Sequence, residues 1–462
     1  MKRSLGILLL VPALFLLMAA FAGSTAAIDA KSAPLRADAD ENAKRLIEQG
    51  RQIFRFDTFG DEAFWTDQLE MQQSVRGLSP QTALALGLKV DAEALPPAVV
   101  EAIRHGQVNL GDPAVTLQLI RQNAVLGVVG TFNNNALTRV GFTCALCHST
   151  VDNSVAPGIG RRIDGLANRD LNVGATVATA PNLQQVVNLL SLAPQDGGIT
   201  AQDVRNVLHS WGPGKFDAEL FLDGKAFNPQ QTTNGVVTGT NISGATLIPN
   251  AHGLAGHNLH TWTGGWGTVP YWNAFVAVNE LHGKGTFFDE RFDDPVQFPI
   301  AAAARLGHVS VDPDSDQVTA KLPALHLYQL ALPSLQPRAG VDFDQAAATR
   351  GDQLFSGKAN CNSCHHEPLW SEPGWNQHTA DEMKIDNFEA ERAPGHAYQT
   401  VNLAGLFVRE RCLFMFQENK GRFYHDGRFQ TLLDVVNSYD TRFNLGLTDQ
   451  EKYDLVEYLK SL

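Results

Sequence analysis

The chain has few cysteines and few basic residues for its length. Its 462 residues include only five cysteines, too few for the dense disulfide framework that stabilises small exported domains. The 36 Lys and Arg residues are outnumbered by 49 Asp and Glu residues, which gives a net charge of −13. No Lys/Arg-rich run is present, so nucleic acids and anionic membrane surfaces are not expected partners.

The N-terminus has the features of a secretory signal peptide. Lys2 and Arg3 precede an apolar run over 5–21, and small residues follow over 22–27. A positive start, an apolar centre and a small-residue end are typical of a cleaved export signal. We therefore expect 1–27 to be removed, a periplasmic or otherwise exported protein, and no stable membrane span after cleavage. An uncleaved anchor is the alternative, and Pro12 argues against it.

Four of the five cysteines lie in two copies of one short motif. Cys144-Ala-Leu-Cys147-His148 and Cys361-Asn-Ser-Cys364-His365 both read C-x-x-C-H, the attachment signature of a c-type haem. A redox dithiol does not need the histidine, and the 217 positions between Cys144 and Cys361 are too many for one zinc site. The sequence thus predicts two covalent haem c groups, with four cysteine attachments and with His148 and His365 as iron ligands.

Cys412 is the fifth cysteine and belongs to neither motif. It lies between Arg411 and Leu413 in an apolar stretch. We expect a buried, unreactive thiol there, and a redox role is the alternative.

Short repeated segments indicate that the chain contains two related domains. Gly50-Arg-Gln-Ile-Phe54 resembles Gly351-Asp-Gln-Leu-Phe355, and Leu325-His-Leu-Tyr328 resembles Leu455-Val-Glu-Tyr458. Such repeats predict a duplicated unit. We place an N-terminal domain at 28–332, a Pro-containing linker at 333–341 and a C-terminal domain at 342–462. Strand signals are few, so the expected fold is mainly α, with two cytochrome c-like haem domains.

The two predicted domains differ in length because the first contains large, loop-rich insertions. Phe54 and Cys144 are 90 positions apart, whereas Phe355 and Cys361 are six apart. The insertions include amphipathic stretches at 97–106 and 113–122, and a Gly-, Asn- and Thr-rich segment from Gly212 to Gly267 that we expect to be an ordered loop. In the C-terminal domain we expect a helix over 342–356 and a final helix that has a capping box and an apolar stripe, formed by Thr448, Glu451, Leu455, Val456, Leu459 and Leu462.

Three segments of the C-terminal region carry a family resemblance. They are Tyr398-Gln-Thr-Val-Asn-Leu-Ala-Gly-Leu, Phe423-Tyr-His-Asp-Gly-Arg-Phe-Gln-Thr-Leu and Val435-Val-Asn-Ser-Tyr. This region resembles the bacterial dihaem cytochrome c peroxidase superfamily, which includes the methylamine-utilisation dihaem enzyme and the rubber oxygenases. The resemblance implies that the other axial ligand of the second haem lies fourteen residues after His425, at Tyr439. Met415 and Met383 are the alternatives.

The resemblance is looser in the N-terminal region. His260-Thr-Trp262-Thr-Gly-Gly is similar to the family's F-W-D-G segment, and Asn279-Glu280-Leu-His282 is similar to a downstream acidic segment, although the Asp and Arg of the family pattern are absent. The resemblance implies that Trp262 is a stepping point for electrons between the irons. It also implies that Glu280 transfers a proton during catalysis, with His260 as the second candidate.

The sequence allows two interpretations of the face of the first haem opposite His148. The peroxidases carry a histidine upstream of the tryptophan, but the corresponding stretch from Thr232 to Ile248 contains none. Either that face is open, or His252, His257 or His260 occupies it. An open face would let hydrogen peroxide or dioxygen bind the iron.

These observations predict an exported dihaem redox enzyme of peroxidase type. The first haem would bind the oxidant, and the second would exchange electrons with a small redox protein. The resemblance also implies calcium between the domains, on which the sequence itself is silent. One alternative is an electron-transfer protein with both haems six-coordinate. Another is an oxygenase that acts on an organic substrate, like the rubber oxygenases, with the insertions shaping its pocket.

Covalent attachment at both motifs predicts that the denatured protein keeps its colour, because the thioether bonds do not depend on the fold. The intact mass should exceed that of the mature apo-chain by two haems. Replacing Cys361 and Cys364 with Ala should remove one of them. Intact-mass spectrometry checks this prediction, and a double variant that keeps both haems would contradict it.

Overall fold

The computed structural model describes residues 38–193, 198–225, 231–233, 236–239 and 243–462, and only the backbone of 231–233 and 236–239. The predicted signal peptide lies outside these residues, as do parts of the Gly212 to Gly267 segment and of the stretch from Thr232 to Ile248. Across the described ranges, no helix combines the length and the apolar character that a membrane crossing requires.

The fold is mainly helical, as the scarcity of strand signals predicts, with 45% helix and 10% strand. The N-terminal helix is described over 38–56. The other helices are Glu62–Trp65, Met71–Gly77, Pro80–Ala85, Pro97–Arg104, Pro113–Arg121, Ala145–His148, Val173–Ala178, Gln184–Leu190, Ala201–Trp211, Leu220–Asp223, Val269–Phe275 with its wider turn Val276–Glu280, Pro299–Ala304, Leu322–Ala331, Gln345–Ser356, Ala380–Met383, Phe407–Glu410, Leu432–Phe443 and Asp449–Lys460.

The strands are short and pair two by two. The longest pair is an antiparallel hairpin of Val128–Asn133 and Ala136–Phe142, in which Val128 faces Phe142. Val90–Asp91 pairs in parallel with Ile159–Gly160. The remaining pairs are antiparallel: Ser149–Val151 with Arg162–Asp164, Lys215–Phe216 with Thr246–Leu247, Gln231–Thr233 with Val236–Gly239, and Phe287–Phe288 with His308–Val309.

In the C-terminal region, two helices cross closely at a glycine. A Cβ atom on Gly351, in the helix Gln345–Ser356, would lie 2.1 Å from the carbonyl oxygen of Asp454 in the final helix. That distance is far shorter than any normal contact, so only glycine fits. Beside the crossing, the rings of Phe355 and Tyr458 pack with their centroids 5.1 Å apart.

The N-terminal region contains an equivalent helix crossing. A Cβ atom on Gly50 would lie 2.0 Å from the carbonyl oxygen of Ala324, in the helix Leu322–Ala331. The rings of Phe54 and Tyr328 are 5.5 Å apart at their centroids. The residues of the repeated segments are therefore the contact surfaces of two similar helix pairs. The domain boundaries at 333–341 stay a prediction.

Several predicted helices are confirmed with shifted ends. The helix expected over 342–356 begins at Gln345, because the Asp344 side chain accepts hydrogen bonds from two backbone N–H groups of its first turn. The capping box of Thr448 and Glu451 is present, and Leu455, Val456 and Leu459 are buried. The amphipathic stretches at 97–106 and 113–122 form Pro97–Arg104 and Pro113–Arg121.

A buried arginine joins the C-terminal and N-terminal regions. The guanidinium of Arg392 donates to Asp223 Oδ2 and to Asp217 Oδ1, each at 2.8 Å, and to the Gly244 carbonyl at 3.1 Å. Glu219 and Glu389 are buried in the same group. Burial raises the pKa of Glu219 to about 7. One guanidinium cannot neutralise four buried carboxylates, so burial and the neighbouring carboxylates raise the pKa of Asp217 and of Glu389 as well.

Arg392→Met should destabilise the protein by about 3–5 kcal/mol, because it leaves two buried aspartates without their cation. Arg104→Met, which removes a surface partner of Glu101, should leave the stability nearly unchanged. Chemical denaturation of both variants measures the two free energies of unfolding. Equal values for the two variants would show that the buried cluster does not stabilise the fold.

Candidate haem site

The first C-x-x-C-H motif is positioned by the hairpin. Strand Ala136–Phe142 ends just before Cys144, and the motif then turns into the short helix Ala145–His148. The Phe142 N–H donates to Asp61 Oδ2 at 3.0 Å, which holds the end of the strand. Gly127, at φ 72°, lets the backbone pass the motif, since a Cβ there would lie 2.1 Å from the Leu146 nitrogen.

The environment of His148 favours the neutral imidazole. Burial lowers its pKa to about 4, the nearby Pro249 carbonyl acts in the opposite direction, and Arg169 lowers the pKa further. Nδ1 is buried and has no hydrogen-bond partner among the described atoms. A histidine must be deprotonated to bind a metal, so this environment suits an iron ligand.

The second motif also contains an oriented, buried histidine. His365 Nδ1 donates to the Trp370 carbonyl at 2.8 Å, and burial lowers the pKa of the imidazole. A proton held on Nδ1 leaves the Nε2 lone pair available for a metal.

The motif cysteines do not resemble a redox dithiol. None of the five cysteines is in a disulfide. Burial raises the pKa of Cys144, Cys147 and Cys361 to about 12. Reactive dithiols need a lowered pKa, so the structure disfavours that alternative.

A cavity borders the first motif. It encloses about 150 Å³ and opens to solvent. Residues of both predicted domains form its wall, and those relevant to chemistry are Cys144, His148, Arg169, His252, His257, His260, Trp262, Trp272 and Arg409.

These features fit a covalently attached haem. Cys144 and His148 of the first motif lie on the cavity wall among apolar side chains, and the imidazole of His148 is uncharged. A c-type haem needs two thioether bonds and an axial histidine in a mainly apolar pocket. Cys144, Cys147 and His148 would hold the first group, and Cys361, Cys364 and His365 would hold the second.

Two of the three predicted catalytic residues lie on the cavity wall. Trp262 and His260 border the cavity, whereas Glu280 is not part of the wall. Glu280 lies close enough to Cys147 to raise the pKa of that thiol. Burial and Glu219 raise the pKa of Glu280 to about 8. Its Oε1 atom is buried without a hydrogen-bond partner in the described structure, so the carboxyl is expected to be protonated at neutral pH.

All three candidate histidines for the open haem face border the same cavity. His252 Nδ1 is 3.0 Å from Ser334 Oγ, and its Nε2 is buried with no partner in the described part of the chain. The rings of His257 and His260 are 6.5 Å apart at their centroids. Burial lowers the pKa of His252 and of His260 to about 4. The structure brings these histidines together but does not select one as an iron ligand.

Trp262 connects the cavity to the C-terminal region. Its indole Nε1 donates to the Leu247 carbonyl at 2.7 Å, and the Leu247 N–H donates to the His425 carbonyl at 2.7 Å. The Trp262 carbonyl accepts from the Gln399 N–H at 3.3 Å. Trp262 therefore lies where segments of both predicted domains meet.

Tyr439 lies near the second motif. It is on the helix Leu432–Phe443, where burial raises the pKa of its phenol and Cys361 and Cys364 act in the same direction. The Arg442 guanidinium lies 4.4 Å from the centre of its ring. Ligation of iron by Tyr439 stays a prediction.

The two alternative methionines are placed differently. Met415 packs in a small cluster with Leu166 and Phe407 and borders a second cavity with Arg169, on the side of the first motif. The Met383 carbonyl accepts from Arg442 Nη1 at 2.9 Å, so its backbone lies near the Tyr439 helix.

Sequence reasoning missed several polar groups at these sites. Arg169 and Arg409 border the cavity, and nothing in their local sequence distinguishes them from surface arginines. Glu372 and His378 lie beside Cys364, with ligand atoms of the three side chains within 4.8 Å of one another. His378 Nε2 is 2.6 Å from Glu372 Oε2. The spacing of Glu372 and His378 after the second motif was the only available signal for this group.

Cys412 is half-buried, and its Sγ lies 3.4 Å from the Phe416 carbonyl. Burial raises the pKa of its thiol. A raised pKa favours the expected unreactive role over a redox role.

Part of the chain is similar in sequence to a known peroxidase. It is 28% identical, over 191 residues, to the cytochrome-c peroxidase IdrP1 of Denitromonas iodatirespirans, which covers 32% of this chain and 51% of that protein. The chain thus spans about half the length of this curated relative. No family model matches the chain. Among solved structures, hydrazine synthase of Kuenenia stuttgartiensis matches with 18% identity and a TM-score of 0.28, over 47% of this chain and 72% of that one.

Proposed function

We propose that this chain is an exported dihaem c-type cytochrome that reduces peroxide at its first haem. The main structural support is the cavity at Cys144 and His148, because its wall also includes His260 and Trp262. The sequence similarity to a cytochrome-c peroxidase supports this reaction class. Hydrogen peroxide would be the substrate, and a small redox protein would supply electrons to the second haem.

The haem, when bound, would supply the iron chemistry by which the peroxide O–O bond is reduced. The chain's own residues must bind the peroxide and move its protons. His260 is uncharged at neutral pH because burial lowers its pKa to about 4. A neutral imidazole on the cavity wall can accept a proton from a hydroperoxide. Glu280, beside Cys147, holds a proton in the same region, because burial raises its pKa to about 8.

A chain of contacts supports electron transfer between the two motifs. From Trp262 it passes through Leu247 to His425, whose ring lies 5.1 Å from that of Tyr424 at the centroids. Arg442 Nη1 donates to the Tyr424 hydroxyl at 3.2 Å and the guanidinium lies over the Tyr439 ring. Tyr424 has φ 81°, a costly conformation for a bulky residue that is typical of functional sites.

Tyr439→Phe should change the spin state or axial-ligand signature of the second haem and leave the first haem unchanged, if the phenolate binds iron. Electron paramagnetic resonance and absorption spectra of the oxidised protein measure this. Met415→Leu is the matched control and should alter neither signature. A change with Met415→Leu alone would assign the ligand to Met415 and make the second haem an ordinary electron-transfer centre.

His260→Gln and Glu280→Gln test which group moves the proton. If proton transfer limits turnover, loss of the responsible group should slow peroxide reduction by about 10²-fold or more. The position of His260 on the wall predicts the larger effect for His260→Gln. Steady-state turnover of peroxide with a reduced donor is the measurement, and exposed His105 supplies the control His105→Gln. Wild-type protein that binds haem but turns over no peroxide would contradict the proposed reaction.

A further inference from the structure

Arg169 is a buried cation that has no acidic partner in the described part of the chain. It is 5% exposed, and its Nη1 atom is buried without a hydrogen-bond partner in the described residues. Burial lowers the pKa of Arg169 most, and the neighbouring cations Arg409 and Arg422 lower it further. The neighbouring Asp170 is engaged elsewhere, since its carboxylate lies 2.5 Å from Lys89 Nζ and accepts from Asn419 at 2.6 Å.

Arg409 adds a second cation to the same wall. Its Nη1 donates only to a carbonyl, that of Arg422, at 3.0 Å, and its guanidinium lies 4.6 Å from the centre of the Phe423 ring. Burial lowers its pKa to about 10. Arg169 and Arg409 both border the cavity that contains Cys144 and His148.

The interior of the cavity therefore carries an excess of positive charge. A buried ionised group without a counter-charge is strongly unfavourable. A guanidinium cannot avoid this cost by losing its proton, because it stays protonated in proteins. The titratable groups that face Arg169 are the imidazoles of His148 and His252, and an imidazole cannot supply a negative counter-charge. Arg422 is balanced in part by Asp170 and Glu418. The two remaining cations indicate an anionic ligand.

We propose that Arg169 and Arg409 bind the propionate carboxylates of the haem attached at Cys144 and Cys147. This inference rests on the proposed function, because it requires a haem at the first motif. Guanidinium groups match carboxylates in shape and charge and form short, charge-assisted hydrogen bonds. Such bonds would balance the buried positive charge, keep the propionates ionised and fix the haem within the wider cavity.

The test uses the holoprotein with both haems and measures the reduction potential of each haem from about pH 5 to pH 8, above the usual range of a carboxyl pKa. Arg169→Gln should make reduction of the first haem about tenfold less favourable, a shift of about 59 mV for one electron. It should also make that potential more dependent on pH, because a propionate without its cation takes up a proton at higher pH. The potential of the second haem should stay constant.

Matched variants separate this role from a merely structural one. Arg169→Lys keeps the charge but loses the planar guanidinium that can donate two parallel hydrogen bonds. It should therefore shift the reduction potential of the first haem by less than Arg169→Gln does. Arg409→Gln should shift the same haem in the same direction, and it keeps the proposal testable if Arg169→Gln fails to fold. Arg205→Gln removes an arginine that donates only to the backbone carbonyls of Ala178 and Ala180, and it should change neither potential.

Three outcomes decide the matter. First-haem potentials that are unchanged in both Arg169→Gln and Arg409→Gln would overturn the proposal and leave the peroxidase function standing. The proposal would also be overturned if calorimetry showed that acetate or inorganic phosphate binds the wild-type holoprotein but not the Arg169→Gln variant. The arginines would then bind a free anion and not the haem propionates. Mass spectrometry that finds no haem on the peptide of Cys144 and Cys147 would instead refute the proposed function itself.

Discussion

The close crossing of two helices at a glycine is the constraint on which both halves of this molecule depend. At Gly50 and at Gly351 the backbone of the partner helix lies where a Cβ atom would be. Each crossing also brings a tyrosine of the second helix against a phenylalanine of the first, Tyr328 on Phe54 and Tyr458 on Phe355. Since the second motif follows its crossing after only a few residues, the glycine contact sets where the cysteines and histidine can lie.

Contacts between the two halves determine what the first motif can do. The cavity at Cys144 and His148 is closed in part by residues that come from the C-terminal region, Arg409 among them. The buried Arg392 group holds these regions together. Trp262 lies at the same boundary and connects it, through Leu247, to His425. The segment that contains Leu247 and Trp262 therefore contributes both part of the cavity wall and the contact with His425.

Much of this arrangement was predictable from the sequence, because its signals are local. The C-x-x-C-H motifs, the capping box at Thr448 and the repeated Gly, Phe and Tyr positions each depend on nearby residues. The family resemblance led to Trp262, His260 and Glu280, but only the fold separates the two that border the cavity from the one that does not. Arg169 and Arg409 had no signal in the sequence, because only the fold shows that no carboxylate of the described residues pairs with them.

We propose that the first haem has a face that accepts a small ligand and that the second haem does not. Electron paramagnetic resonance of the oxidised protein, recorded before and after cyanide is added, tests this difference. One haem signal, assigned to the Cys144 motif, should change on cyanide binding, and the other should stay constant. Two signals from tightly six-coordinate irons, both unaffected by cyanide in every redox state, would contradict this proposal and indicate an electron-transfer protein.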